Sequence, residues 1–284
     1  MEMIEKSRLQ ELSGKTVVIK YGGNAMTDSV AQKNVLSQIA ELKKAGVRVA
    51  VVHGGGPVIK ALLKVSGIET DFVDGHRITL KDSMEIVEQA LSGKVNGQLV
   101  RELNRLNAAP VGLSGKDAGM VKAVKRTHSI ISDTESREVD LGFVGDVDSV
   151  DVSLLNLLLK DGYLPVISPV SSGADGEDYN INADMFAGHI AGALKADAFV
   201  AITNVDGLME DPDKPDSRID RITPLEARSL FGSVIKGGMI PKIEACLSAL
   251  EQGVKAAYIV NGATKNSILS QLLSDSKTGT TITA

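Results

Sequence analysis

The stretch KTVVIKYGGNAM, residues 15–26, joins an apolar strand pattern to a lysine and a Gly-Gly turn. A lysine beside glycines points to phosphate chemistry. Here Lys20 precedes Gly22 and Gly23, whereas a P-loop places its lysine after the glycines, at the start of a helix. Gly14-Lys15-Thr16 resembles the end of a P-loop, but Leu9 stands where the first glycine belongs and a strand follows. Gly93-Lys94 and Gly115-Lys116 lack the Ser/Thr, and no GxGxxG occurs. A P-loop NTPase and a standard dinucleotide fold are therefore disfavoured.

VVHGGGP (51–57) ends a strand at His53, runs through three glycines and meets Pro57, which suits the first turn of a helix. Missing Cβ atoms and a helix N-terminus favour an anion at Gly54–Gly56, against the plainer reading of a tight strand–helix turn. His53 could merely orient that loop. In GGMIPK (237–242) two glycines open a helix, and Lys242 falls in its first turns with Pro241. A lysine at the positive end of a helix needs an anion nearby unless it is simply solvated. In YNINAD (179–184), Asp184 could cap the following helix, hold a lysine or touch a metal. TNVDG (203–207) is a loop after an apolar strand, and GHRIT (75–79) offers Arg77 as a carboxylate clamp.

These stretches need elements to hold them. Strand patterns run through 17–22, 47–54, 110–115, 121–126, 164–170, 199–205 and 256–262, several apolar on both faces. Helical patterns lie between them: Val30 to Ala45, Ala183 to Ala196, Met239 to Leu250, and a long one over 80–106. That last helix carries a stripe of Met84, Val87, Leu91, Val95, Leu99, Leu103 and Leu106, interrupted by Gly93 and Gly97. The alternation predicts an α/β fold, a three-layer αβα sandwich around a mainly parallel sheet. In such sheets, sites open beyond the carboxyl ends of the strands. A division into lobes 1–195 and 196–284 on one continuous sheet is expected.

Composition narrows the function further. The 284 residues carry a net charge of −5, which argues against a general nucleic-acid surface. One cysteine, Cys246, cannot make an intrachain disulfide; it fits a reducing compartment and, in its apolar helical run, a buried structural thiol. MEMIEKSRLQEL lacks the apolar stretch of a signal peptide, and no apolar run approaches the ~20 residues of a membrane span. A cytoplasmic protein is expected.

Taken together and in order, IKYGGNAM, VVHGGGP, GHRIT, GLSGKD, LGFVGDV, YNINAD, TNVDG and GGMIPK resemble the amino acid kinase family, from about Gly14 to Gly262. The nearest branch phosphorylates the side-chain carboxylate of N-acetyl-L-glutamate with ATP, an early step of arginine biosynthesis; the alternatives are a kinase of an aminoadipate derivative in lysine biosynthesis and a non-catalytic nucleotide-binding regulatory protein. The resemblance implies that Lys20 and Lys242 stabilise the moving phosphoryl group and that Asp184 positions them. It implies that Gly55 and Gly56 bind substrate, and that Gly22 and Gly23 let the backbone approach the phosphate. Arg77 and Asn180 would hold the α-carboxylate. Thr203, Asn204, Val205, Asp206, Gly207, Gly238 and Met239 would hold the nucleotide. Mg²⁺ would arrive with ATP, with no dedicated protein cage. A homodimer across the helix at 80–106 is also implied. The chemistry suits these residues: a carboxylate with a pKa of about 4.3 is already a nucleophile at pH 7. Two anions then need charge neutralisation and in-line placement rather than a strong base.

Overall fold

A computed structural model describes residues 8–26, 28–73, 76–131, 136–211, 213–273 and 278–283. Residues 1–7, within the stretch read above as lacking a signal-peptide pattern, and Gly75 of the GHRIT motif lie outside the described residues.

The first strand, β1 (Thr16–Tyr21), is buried along its whole length. It leads into helix α1 (Ser29–Lys44), whose first turn is closed by the Asp28 carboxylate accepting from the Val30 and Ala31 amides. Then follow β2 (Arg48–His53) and α2 (Gly56–Val65), with Pro57 in its first turn. A short ribbon pairs residues 72–73 with 76–77. Next come α3 (Lys81–Glu88) and α4 (Asn96–Arg105), then β3 (Pro110–Ser114), β4 (Val121–Lys125) and β5 (Val144–Val150). The chain continues with α5 (Ser153–Lys160), β6 (Leu164–Ser168), β7 (Val170–Gly173), β8 (Asp178–Ile181), α6 (Ala183–Ala193) and β9 (Ala198–Thr203). It closes with β10 (Arg221–Ile222), α7 (Pro224–Ser229), α8 (Ile240–Glu251), β11 (Ala257–Asn261), α9 (Ser267–Leu273) and β12 (Gly279–Ile282).

Eight strands form one sheet in the order β10-β12-β11-β9-β1-β2-β6-β3. Its pairings are parallel except β11 with β12. Strands from both sides of residue 195 share it. Val17, Ile19 and Tyr21 pack with α1 and α4 on one face. Val18, Ala50 and Val52 pack with α6 and α8 on the other. Two cores on opposite faces of one sheet make the expected αβα sandwich. A smaller sheet closes on itself as β7-β8-β5-β4.

Three local expectations are corrected. The 164–170 run is two strands, because Pro169 cannot donate to a ladder; its second half joins the small sheet. The long helical stripe is not one α-helix: a π-helical segment, Gln89–Val95, joins α3 to α4 and contains Gly93. Even so, Met84, Val87, Leu91, Val95, Leu99 and Leu103 are all buried, while Leu106, past the helix end, is exposed. The helix from 183 stops at Ala193, not 196. Among the described residues no helix is long and apolar enough to cross a membrane.

Candidate active site

β1, β2 and β9 are neighbours, with Lys20 in register with Val52 and Ala201. Their carboxyl ends therefore open at one edge. Because side chains alternate along a strand, Lys20 lies on the Val18 face of β1, toward α6 and α8. Both helices begin there. Asp184 is the second residue of α6 and Lys242 the third of α8. The Lys242 Nζ donates to Asp184 Oδ2 at 2.9 Å, and the Lys20 Nζ stands 3.0 Å from Asp184 Oδ1. The Lys20 contact is an ion pair off the hydrogen-bond direction, since Oδ1 has no directed partner. Lys20 and Asp184 are each 5% exposed, so this charge cluster is built in a largely dry place.

Burial would raise the Asp184 carboxyl, but Lys20 and Lys242 outweigh it and hold it below the ordinary carboxylate range. Burial is also the largest influence on Lys20 and lowers it from the ordinary lysine value; Asp184 opposes that and Lys242 adds to it. Asp184 is not the helix cap. The Asn182 side chain takes that role, accepting from the amides of Asp184 and Met185 at 2.8 and 3.3 Å, which frees Asp184 for the lysines. Asp184 is also the anion that makes a lysine tolerable at the positive end of α8.

The glycines have distinct reasons to be glycine. A Cβ at Gly22 would lie 2.7 Å from Lys20 Nζ, so this position makes room for the ammonium. Gly23 has φ +69° and turns the chain. A Cβ at Gly55 would lie 2.6 Å from Leu91 Cδ2, so this glycine lets the loop sit on the π-helical segment, while Gly56 faces open space. The Gly54 amide donates to Tyr21 O at 2.8 Å. It is therefore committed to the strand ladder, and the expected anion position narrows to Gly55 and Gly56, whose amides have no partner among the described residues.

Arg77 and Asn180 meet through a residue that the sequence alone does not single out. The Asn180 side chain donates to Thr79 Oγ1 at 3.3 Å, and that hydroxyl donates to Arg77 O at 3.0 Å. Arg77 is 9% exposed, and its guanidinium is the group that meets its neighbours. It donates to Thr70 Oγ1 at 2.7 Å and lies 4.5 Å over the Phe72 ring. Among the described residues it has no carboxylate partner, and no hydrogen bond or ion pair joins it to the lysine cluster.

The loop after β9 is fixed separately. Thr203 is buried, and its hydroxyl is 3.4 Å from Asn204 Oδ1. Asp206 accepts from Asn261 Nδ2 at 2.9 Å and from Thr264 Oγ1 at 3.3 Å. Gly207 has φ +129°, and a Cβ there would meet Thr280 Oγ1 at 2.6 Å. Val205 is exposed beside it. Gly238 and Met239 lie in a short 3₁₀ turn directly before α8. Asn261 and Thr264 carry no motif of their own, and only the strand-end rule directs attention to the loop after Val260. Among the described residues no three His, Cys, Asp or Glu side chains converge as a metal cage. Cys246 is buried, and burial pushes its thiol up.

A model of the amino acid kinase family matches residues 15–261. The chain belongs to the amino acid kinase family. Among family relatives, an acetylglutamate kinase of Symbiobacterium thermophilum is 44% identical over 275 residues, covering 96% of this chain and 93% of the relative. An acetylglutamate kinase of Methanocaldococcus jannaschii is 42% identical over 293 residues, covering 100% of this chain and 98% of the other. Among solved structures, an N-acetylglutamate synthase of Neisseria gonorrhoeae, complexed with coenzyme A and N-acetyl-glutamate, superposes with a TM-score of 0.82 at 24% identity. The likeness covers all of this chain and 62% of the synthase, and at that identity it speaks for the fold alone.

Proposed function

We propose that this chain transfers the γ-phosphoryl group of ATP to the side-chain carboxylate of N-acetyl-L-glutamate, giving the acyl phosphate of arginine biosynthesis. The observation that carries this reading is the buried Lys20–Asp184–Lys242 array at the strand ends. Two lysines and one aspartate leave one net positive charge where two anionic substrates must meet. The names of relatives matched over almost the whole chain support the choice of substrate.

The acceptor carboxylate needs no base, so the work is charge and placement. Lys20, at the end of β1, and Lys242, at the start of α8, would lie on either side of the in-line transfer. Asp184 holds both without competing for the phosphoryl group. The free Gly55 and Gly56 amides add backbone donors for the transferring oxygens, and the turn at Gly22 and Gly23 leaves room beside them. Arg77 and Asn180 would bind the α-carboxylate. The 203–207 loop with Gly238 and Met239 would bind the nucleotide, which brings a divalent cation, Mg²⁺, as part of the substrate. In this reading residues 1–195 form the amino-acid lobe and 196–284 the nucleotide lobe. The protein acts in the cytoplasm as a homodimer across α3–α4.

Incubation with ATP, Mg²⁺ and N-acetylglutamate in the presence of hydroxylamine should give the hydroxamate of the trapped acyl phosphate. Absence of hydroxamate, with turnover of a one-methylene-longer acid instead, would overturn the substrate.

A further inference from the structure

His53 is wholly buried at the end of β2, directly before the glycine loop. Its position on the odd-numbered face of the strand turns it toward α4, away from the lysine cluster. The Asn96 Nδ2 approaches its Nε2 at 3.1 Å. The same amide nitrogen donates to Val166 O at 2.8 Å and to Leu113 O at 3.3 Å. Two carbonyl oxygens can only be met by the nitrogen end of an amide, so the orientation of Asn96 is fixed. An amide nitrogen has two hydrogens and accepts none, so Nε2 cannot donate to it, which places the ring proton on Nδ1. Nδ1 lies 2.9 Å from Gly54 O and donates to it. Burial pushes the imidazole down to about 4, so the ring stays neutral. Asn96 is itself held in a fitted slot: a Cβ at Gly112 would come within 2.2 Å of its Oδ1.

The consequence lies on the other side of the peptide. The described residues have no cis peptide bond, and in a planar trans peptide the C=O and the following N–H point in opposite directions. Drawing Gly54 O inward toward His53 turns the Gly55 N–H outward. We propose that Asn96 and His53 form a positioning relay in which a locked imidazole tautomer holds the Gly54–Gly55 peptide so that its N–H faces the transferring phosphoryl group. His53 and Asn96 touch no substrate; they act through the peptide.

The locked tautomer stands by itself, while the role of the turned N–H rests on the proposed phosphoryl transfer. In the wild-type protein with ¹⁵N-labelled histidine, NMR should show a protonated-type Nδ1 and an unprotonated Nε2 for His53. His53→Phe keeps a ring but loses the donor, and kcat should fall roughly tenfold to a hundredfold, the range for a small misplacement in an active site. The KM for ATP should stay unchanged. His53→Asn restores a donor near the Nδ1 position and should recover most of kcat. An Nε2–H tautomer in the wild type would overturn the relay, as would a folded His53→Asn no more active than His53→Phe. If His53→Phe does not fold, the wild-type tautomer decides. A wild type inactive on N-acetylglutamate would instead sink the proposed function and leave the tautomer result standing.

Discussion

Two buried cations in this molecule are treated in opposite ways. Lys20 is 5% exposed and has its anion built in, Asp184 at 3.0 Å. Arg77 is 9% exposed and has a hydroxyl and an aromatic ring but no carboxylate among the described residues. A buried cation without an anion is costly. The first site is an arrangement of charges completed inside the protein, suited to act on a group that is only passing through. The second is left open, suited to a ligand that brings its own negative charge and stays. This contrast separates the residues expected to govern kcat from those expected to govern KM.

The largest effect should come from breaking the closed site. Lys242→Ala should lower kcat about 10²–10³-fold with a much smaller change in KM for the amino acid, as for loss of a donor to developing charge. A wild-type kcat would remove Lys242 from the mechanism. Lys20→Met sharpens the same point. Because burial disfavours the Lys20 charge, its removal should leave the melting temperature unchanged or raised while activity collapses; a clearly lower melting temperature would show that the pair was stabilising the fold.

Arg77→Ala tests the open site. Loss of a charge-assisted bond is worth about 1.5–3 kcal/mol, so KM for N-acetylglutamate should rise roughly tenfold to a hundredfold with the KM for ATP unmoved. An effect confined to ATP would contradict the clamp.

His53 is a third case, a buried group kept neutral. Its folded value of about 4 lies below the ordinary 6.5, so its contribution is fully present above pH 6.5. That contribution is lost as pH falls from 6.5 toward 4, because the unfolded chain then binds the extra proton. Denaturant unfolding at pH 7 and 4.5 should show a larger loss for the wild type than for His53→Phe, and equal losses would refute a neutral His53.

The smallest effect belongs at the surface. Lys116 pairs with Glu88 and Asp178 on partly exposed side chains, so Lys116→Ala should cost less than about 1 kcal/mol and leave kcat alone.

Much of the site is legible in the amino-acid sequence. Lys20 and Gly22 are close neighbours along the chain, and the strand that carries Lys20 and leads into Gly22 is marked by an apolar run. The glycines before Pro57 and before Lys242 announce helix starts, and both helices begin there. Contacts whose partners lie far apart in the chain cannot be read in this way. Nothing near Asn180 in sequence indicates Thr79, and nothing near His53 indicates Asn96, yet each pair is joined by a hydrogen bond. The π-helical segment is equally hidden. Its apolar spacing satisfies an α-helix, and its wider turn places Leu91 under Gly55.

The sequence alone determined most of the strands and helices, the alternating faces of the strands and the presence of two lysines and an aspartate at element ends. These follow from local backbone preferences and from the periods of strand and helix. Only the tertiary structure decided that Asp184 serves two lysines rather than its own helix, that the Gly54 amide is already taken, and that Arg77 is buried without a carboxylate partner among the described residues. Those outcomes depend on which elements become neighbours once the sheet closes its order, and no local preference encodes that.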